Sequence, residues 1–278
     1  MDGRALAARI REELKGEIAE FGDVRLATVL VGDDPASQIY IRLKHKAAEE
    51  VGIQALDKRL PTETSEGELL ELVEELNVDD SVDGILVQTP LPPQIDEARV
   101  MRTLDPMKDV DGLHPLNAGQ LFFGQETLVG ATPVGVMRLL SEYKIRVAGA
   151  RAVVVGRSLI VGRPLSMLLL HANATVTICH SRTEDLARHT LDADILVAAV
   201  GSLGLITADM VKTGAAVIDV GMNRTDEGLF GDVDPGVEDI AAFLTPVPGG
   251  VGPMTIACLL QNAVRCARFR RGELAYPG

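Results

Sequence analysis

Residues 152–164 read AVVVGRSLIVGRP, and this stretch decides the fold. An apolar run of strand length ends at Gly156, and a short loop follows. A helix is predicted to begin near Gly162, because Pro164 suits a first helical turn. The amide hydrogens of such a helix N-terminus can hold a phosphate when a glycine lets the backbone approach closely. The GxGxxG fingerprint of dinucleotide-binding loops is only partly met, since Ser158 and Val161 replace its second and third glycines. An ordinary buried turn between strand and helix therefore stays an alternative.

The next apolar strand, Thr175–Cys179, is followed by the sequence HSRT at residues 180–183. NAD-binding folds place an acidic residue here, about twenty residues beyond the loop, where it accepts hydrogen bonds from the ribose. A carboxylate would repel a 2′-phosphate, so its absence, together with Arg157, Ser181 and Arg182, favours NADP over NAD as the cofactor. A solvated basic turn would explain the same residues, and both interpretations stay open at this point.

The composition limits the function classes. The chain has 278 residues, 46% of them hydrophobic, and a formal net charge of −13, which argues against nucleic acid or an anionic membrane as a partner. Much of the acidic excess lies in residues 62–80, where leucines at helical spacing and a capping box of Ser65 and Glu68 predict an amphipathic helix. The three cysteines (Cys179, Cys258 and Cys266) lack metal-ligand spacing, and no apolar run is long enough to span a membrane. We expect a soluble cytoplasmic protein without a metal site.

Strands and helices alternate along the chain in two blocks. Helices are predicted at about Arg4–Glu20, from Asp34 and Pro35 to Gly52, in the acidic stretch, at Ile95–Leu104, Thr132–Tyr143 and Thr255–Arg270. Strands are predicted at Leu26–Val31, Gln54–Leu60 and Gly84–Gln88, and then near Ala152, Thr175, Asp194 and Ala215 with intervening helices. Residues 105–124 are predicted to be irregular. The pattern indicates an α/β protein of two domains with parallel sheets.

The helix predicted after Pro35 carries the second group of reactive side chains. Ile39, Leu43 and Ala47 are predicted to form its core stripe, with Ser37, Tyr40 and Lys44 lined up beside them. Taken alone, the short and common YxxxK pattern is more typical of a tyrosine at the rim of a core beside a lysine that extends to solvent. Short-chain dehydrogenases use such a pair catalytically, but they place it after the glycine-rich loop. Here the pair comes first, which favours a two-domain dehydrogenase with its substrate domain before its cofactor domain and a cleft between them.

Three further segments are typical of binding sites. Gln88 ends a predicted parallel strand, where open α/β sheets bind ligands. Asp109 and Asp111 lie in the irregular segment, and residues 246–255 form a turn-rich approach to the last helix.

Five stretches in order over nearly the whole chain resemble the bifunctional methylenetetrahydrofolate dehydrogenase and methenyltetrahydrofolate cyclohydrolase family. They are Tyr40 with Lys44, VQTPLP from Val87, KDVDG from Lys108, VVVGRSLIVGRP from Val153 and PGGVGPMT from Pro248. The resemblance implies a catalytic folate-binding domain at residues 1–120, completed by a C-terminal helix at 254–278. It also implies a Rossmann-like NADP-binding domain at residues 121–253.

The implied activities are NADP-dependent oxidation of methylenetetrahydrofolate and hydrolysis of the methenyl product to formyltetrahydrofolate, in the one-carbon metabolism that serves purine biosynthesis. The residues with implied catalytic roles are Lys44, Gln88, Tyr40 and Asp111. Those expected to bind folate are Tyr40, Ser37, Gln88, Asp111, Gly249, Gly250 and Val251. Those expected to bind NADP are Gly156, Arg157, Ser158, Ser181, Arg182, Gly249 and Thr255. A homodimer is also implied.

Two other functions remain open from the residues alone. A related NADP dehydrogenase of the shikimate or amino-acid type would share the two-domain order but would not need Tyr40, Gln88 and Asp111 together. A nucleotide-binding regulatory protein would need no intact Lys44.

Overall fold

The computed structural model describes residues 1–125 and 127–277, which form α-helices and mainly parallel strands. The helices are α1 (Gly3–Phe21), α2 (Pro35–Val51), α3 (Glu66–Val78), α4 (Glu97–Thr103), α5 (Pro115–Phe122), α6 (Ala131–Glu142), α7 (Gly162–His171), α8 (Leu186–Thr190) and α9 (Val251–Arg270). The strands are β1 (Val24–Val31), β2 (Ile53–Leu60), β3 (Gly84–Val87), β4 (Arg151–Val155), β5 (Thr175–Cys179), β6 (Ile195–Ala198), β7 (Ala216–Asp219), β8 (Asn223–Thr225), β9 (Gly228–Phe230) and β10 (Phe243–Leu244).

The chain divides into two compact units, which we name after their main sheets. The three-strand unit contains residues 9–131 and 256–278, and the five-strand unit contains residues 1–8 and 132–255. The three divisions fall within α1, after the first residue of α6, and within α9. Each unit therefore includes a segment from the opposite end of the sequence.

In the three-strand unit the parallel sheet has the order β2-β1-β3, with Leu26 paired to both Ala55 and Gly84. Alternate apolar residues of this sheet pack with buried residues of α3 and α4, which removes the apolar face of the acidic helix from water. The predicted ends of two helices are confirmed: Asp34 caps α2, and Ser65 and Glu68 form a reciprocal capping box on α3.

In the five-strand unit the parallel order is β10-β7-β6-β4-β5. The chain leaves β4 for β5 on one side and returns to β6 on the other, so the sheet has its topological switch point between β4 and β6. Open α/β sheets bind ligands at the carboxyl edge of such a point. Strands β8 and β9 form a separate antiparallel ribbon.

The structure corrects four expectations about local structure. The segment 105–124 is not wholly irregular, because α5 begins within it at Pro115, capped by the His114 side chain. The connection from β6 to β7 holds only a 3₁₀ turn at Ala208–Met210 instead of a helix. Helix α9 begins at Val251, four residues before the predicted start.

The fourth correction concerns the face of α2 that is buried. Ala47 is buried as predicted, but Leu43 is 45% exposed and Ile39 is only half-buried, so two of the three predicted core positions are wrong. The buried face of the helix instead includes Ile41, Lys44 and Ala48. Lys44 lies on the buried face of the helix and not beside it.

Candidate active site

Helix α2 places Ser37, Tyr40 and Lys44 in the three-strand unit. Its first turn is fixed by Pro35 and by Asp34, whose carboxylate accepts a hydrogen bond from the Ser37 amide at 2.7 Å. This backbone hydrogen bond, together with one from the Ser37 hydroxyl, holds the pKa of Asp34 below its usual range. Ser37 is therefore part of the helix cap, and Tyr40 is half-buried one turn before Lys44.

Lys44 is buried, with 9% of its surface exposed, and its Nζ donates a hydrogen bond to Gln88 Oε1 at 3.1 Å. Gln88 directly follows β3; its backbone amide donates to Val29 O and its Nε2 to Thr89 O at 2.7 Å, which orients the side-chain oxygen towards the lysine. Burial lowers the pKa of Lys44, and the charge of Asp111 partly opposes that shift. The amine is thus closer to its neutral, proton-accepting form than an exposed lysine would be.

Asp111 lies in the loop after the isolated bridge between Ile85 and Asp109. Burial raises the pKa of its carboxyl group, and the charge of Lys44 opposes that shift. The loop turns at Gly112, which has φ +62°, and a Cβ there would lie 2.7 Å from Leu128 O. The sequence thus brings Lys44, Gln88 and Asp111 together from a helix, a strand end and a loop.

The neighbouring residues of the KDVDG stretch are structural. Lys108 Nζ donates to the carbonyls of Leu76 and Asp79, both at 2.8 Å, and so caps the end of α3. Asp109 is 1% exposed, and its Oδ2 accepts from the His114 amide at 2.7 Å and from Asn117 Nδ2 at 3.0 Å.

In the five-strand unit the turn from β4 to α7 has room for no side chain at two positions. A Cβ on Gly156, which has φ +127°, would lie 2.3 Å from Ala199 O, and one on Gly162 would lie 2.2 Å from Gly156 O. The Gly156 amide also donates to Cys179 O at 2.9 Å, which joins the turn to the end of β5. The backbone of this turn is therefore tightly closed and lies at the carboxyl edge of the sheet.

The side chains around this turn fit NADP. Arg157 is exposed, while Ser158 Oγ accepts from the amides of Val161 and Gly162 at 3.2 and 3.4 Å at the start of α7. Ser181 and Arg182 are exposed in the turn after the neighbouring strand β5. That turn is fixed by His180, whose amide donates to Thr183 Oγ1 at 2.9 Å and whose Nδ1 accepts from the Arg182 amide at 3.2 Å. A closed glycine turn, a helix N-terminus and adjacent arginines are the donor set that a phosphorylated dinucleotide requires.

The stretch 246–255 also lies in the five-strand unit, where α9 begins. Gly249 O accepts hydrogen bonds from the amides of Gly3 and Arg4, both at 3.1 Å, so it caps the start of α1. The Gly250 amide donates to Pro246 O at 2.8 Å, and Val251 is buried. Thr255 Oγ1 lies 2.9 Å from Thr132 Oγ1.

Sequence reasoning missed a pair of aspartates that supports the same edge of the five-strand sheet. Asp219, at the end of β7, accepts hydrogen bonds from the amides of Gly221, Asp232 and Val233 at 2.9–3.0 Å. Asp232 in turn accepts from the amides of residues 200–202, which follow β6. The only sequence signal for this pair is an aspartate at the end of an apolar strand.

Comparison with known proteins identifies the family. The model of the tetrahydrofolate dehydrogenase/cyclohydrolase catalytic domain matches residues 1–111, and that of the NAD(P)-binding domain of the same proteins matches residues 130–271. The bifunctional protein FolD of Methanospirillum hungatei is 56% identical over 275 residues, which is 98% of this chain and 99% of that protein.

Solved structures of similar proteins belong to the same family. The bifunctional enzyme FolD, a methylenetetrahydrofolate dehydrogenase/cyclohydrolase from Campylobacter jejuni, is 47% identical with a TM-score of 0.94, and the match covers 98% of each chain. The Trypanosoma brucei FolD enzyme, solved with NADP and an inhibitor, is 39% identical with a TM-score of 0.93, over 99% of this chain and 98% of that one. The chain therefore belongs to the tetrahydrofolate dehydrogenase/cyclohydrolase family.

Proposed function

We propose that this protein oxidises methylenetetrahydrofolate with NADP and hydrolyses the methenyltetrahydrofolate so formed to formyltetrahydrofolate. Both activities are named for the two solved relatives, which match nearly the full length of the chain. No observation favours the shikimate-type dehydrogenase or the regulatory protein.

The observation that carries the hydrolytic half is the buried contact of Lys44 with Gln88. Water that attacks the methenyl carbon must lose a proton, and a neutral amine can accept it. Burial lowers the pKa of Lys44 and so makes the neutral amine available, while the Gln88 oxygen at 3.1 Å holds the nitrogen in one position. Lys44 would then return that proton to the ring nitrogen that leaves as the ring opens.

Asp111 and Tyr40 would orient the folate in this mechanism. A carboxylate can accept two hydrogen bonds from the amino group and the adjacent ring N–H of the pterin, which is the role we give to Asp111. The half-buried Tyr40 would stack on the flat aminobenzoyl or pterin ring, and Ser37 and Gln88 would line the same site.

NADP, when bound, would supply the hydride acceptor. The protein would hold NADP in line with the substrate carbon. Gly156, Gly162 and the α7 N-terminus would bind the pyrophosphate, with Ser158 supporting the turn. Arg157, Ser181 and Arg182 would hold the 2′-phosphate and ribose. We place Gly249, Gly250 and Val251 beside the nicotinamide and the folate, with Thr255 near the cofactor.

We further propose a cytoplasmic homodimer. All three cysteines are buried and none forms a disulfide, which suits a reducing compartment. Strand β5 lies at an edge of its sheet with Ile178 42% exposed, a surface suited to pairing with a second copy. The net charge of −13 argues against nucleic acid or an anionic membrane as a partner. In residues 1–125 and 127–277, no helix has the length and apolar character needed to cross a bilayer.

The test is to supply methylenetetrahydrofolate and NADP and to follow NADPH and methenyltetrahydrofolate separately. We expect the wild-type protein to form NADPH without accumulating the methenyl compound. In Lys44→Ala the hydrolysis should slow by about 10²- to 10⁴-fold, the usual contribution of a general base, so that the methenyl compound accumulates while NADPH still forms.

Lys46→Ala is the matched control, since it removes an exposed cation from the same helix. It should behave as the wild type does. Hydrolysis at the wild-type rate in Lys44→Ala would remove Lys44 from the mechanism, and no signal with either NADP or NAD would overturn the proposed function.

A further inference from the structure

The side chain of Asn262, on α9, bridges two segments of the three-strand unit. Its Nδ2 donates to Val110 O at 2.7 Å and to Val129 O at 2.8 Å, and the residue is only 8% exposed. Both hydrogens of one amide group are thus used on two backbone carbonyls that are far from it in sequence.

One of these carbonyls precedes Asp111 in the loop, and the other belongs to the backbone segment that packs against the residue after Asp111. Val110 immediately precedes Asp111. Gly112 follows it and lies so close to the backbone of Leu128 and Val129 that a Cβ would be 2.8 Å from Val129 Cα. Asn262 therefore fixes the residue that leads into Asp111 and also the backbone segment against which the next residue packs.

The helix that carries Asn262 is itself held firmly in this unit. Ala263 packs where β3 begins, since a Cβ on Gly84 would lie 3.8 Å from Ala263 Cα. Near the end of α9, Arg270 Nη1 donates to Asp83 Oδ1 at 2.9 Å, and Asp83 Oδ2 accepts from the Arg25 amide at the same distance. A side chain on such a support can define the position of a loop to a fraction of an ångström.

We infer that Asn262 is a positioning residue for folate recognition, which acts by holding Asp111 where its carboxylate meets the donors of the pterin ring. This inference rests on the proposed function, because it gives Asp111 the pterin-binding role stated above. It adds that α9 contributes to the affinity for folate through Asp111.

The experiment is a double-mutant cycle of Asn262→Ala and Asp111→Asn in the full-length protein. We measure KM for methylenetetrahydrofolate, KM for NADP and kcat, and we measure the Kd of folic acid, which carries the same pterin donors, by calorimetry. Asn262→Ala should raise the KM for methylenetetrahydrofolate and the Kd of folic acid about tenfold and leave the KM for NADP unchanged. In the Asp111→Asn background it should have little further effect, because two residues that act through one contact are not additive.

Two controls on α9 separate positioning from loss of stability. Gln261→Ala removes an amide from the adjacent, half-buried position, and Leu260→Ala removes a fully buried apolar side chain. Leu260→Ala should lower the melting temperature without the selective effect on folate, and Gln261→Ala should change neither. If Asn262→Ala does not fold, Asn262→Ser serves instead, since its short side chain cannot reach both carbonyls.

Two results would show that Asn262 has a general structural role and overturn the inference. One is that Asn262→Ala raises the KM for methylenetetrahydrofolate equally in the wild-type and Asp111→Asn backgrounds, and the other is that it weakens NADP binding as much as folate binding. If Asp111→Asn raises the KM for methylenetetrahydrofolate and Asn262→Ala does not, the inference is overturned and the proposed function stands. If Asp111→Asn leaves the affinity for folate unchanged, the proposed role of Asp111 is wrong, and the inference falls with it.

Discussion

Asp109 shows how a single residue in a functional motif can serve the fold at a cost in stability. Its Oδ2 accepts two hydrogen bonds, whereas its Oδ1 is buried without a hydrogen-bond partner among the described residues. Burial raises its pKa from 3.8 to about 6, the hydrogen bonds to Oδ2 opposing the shift. The ionised carboxylate is therefore an unfavourable group at neutral pH.

We expect Asp109→Asn to stabilise the protein at pH 7 and to have no effect near pH 4. Because the folded-state pKa is raised, the protonated form favours folding, and that contribution is lost as the pH rises from about 4 to about 6. A shift of this size corresponds to at most about 3 kcal/mol. The asparagine keeps an acceptor for His114 and Asn117 and carries no charge. Urea unfolding between pH 4 and 8 measures the difference.

Asp226→Asn, an exposed change in the β8–β9 turn, is the control and should leave the pH dependence unaltered. Burial also raises the pKa of Asp219 to about 6, so Asp109→Asn should reduce the slope between pH 4 and 6 without abolishing it. A variant that is less stable than the wild type at every pH would contradict this account.

At the scale of the element, the turn from β4 to α7 separates two kinds of cofactor contact. The backbone amides and the glycines would serve the pyrophosphate that NADP and NAD share, whereas Arg157 would serve the 2′-phosphate that only NADP has. The two contributions can be changed one at a time because Gly162 is buried in the turn and Arg157 is exposed.

We expect Arg157→Ala to weaken NADP binding by about 10- to 100-fold and NAD binding very little, as befits the loss of a charge-assisted hydrogen bond. Gly162→Ala should weaken both cofactors alike, because its Cβ would meet Gly156 O at 2.2 Å and open the turn. Calorimetric titration with each cofactor measures both effects. Arg188→Ala, an exposed change on α8, is the control, and equal losses of NADP and NAD in Arg157→Ala would contradict the assignment.

Most elements could be predicted from the sequence because their signals are local. Asp34, Pro35 and Gly52 mark the ends of α2 by their own chemistry. Helix α5 was missed because its glycine and proline resemble loop composition, although Pro115 is at its first turn. The burial of Lys44 and the bridge of Asn262 depend on segments far away in the sequence, which no local pattern reports.

At the scale of the whole molecule, each unit is completed by a segment from the far end of the chain. The three-strand unit needs residues 256–277, since buried residues of α9 include Leu260, Ala263 and Cys266 and since Arg270 pairs with Asp83. Residues 9–131 alone would expose this apolar surface and leave the buried Asp83 without its cation.

We therefore expect a fragment of residues 9–131 to lack a cooperative thermal transition. The same fragment joined to residues 256–277 through a short glycine-serine linker should regain one. A short linker suffices because Thr132 and Thr255, which adjoin the two cut ends, lie 2.9 Å apart at their Oγ1 atoms. Circular dichroism during heating distinguishes the two fragments, and equally sharp melting of both would show that α9 is not needed.

The burial of all three cysteines has a practical consequence. Thiol-reactive dyes attack the exposed thiolate, but Cys179, Cys258 and Cys266 are buried, and burial raises the pKa of Cys179 and Cys266. The chain also contains no tryptophan, so there is no tryptophan fluorescence to follow instead of a dye. A single cysteine introduced at the exposed Leu159 could be labelled without background, and its dye would report nucleotide arrival at the turn in real time.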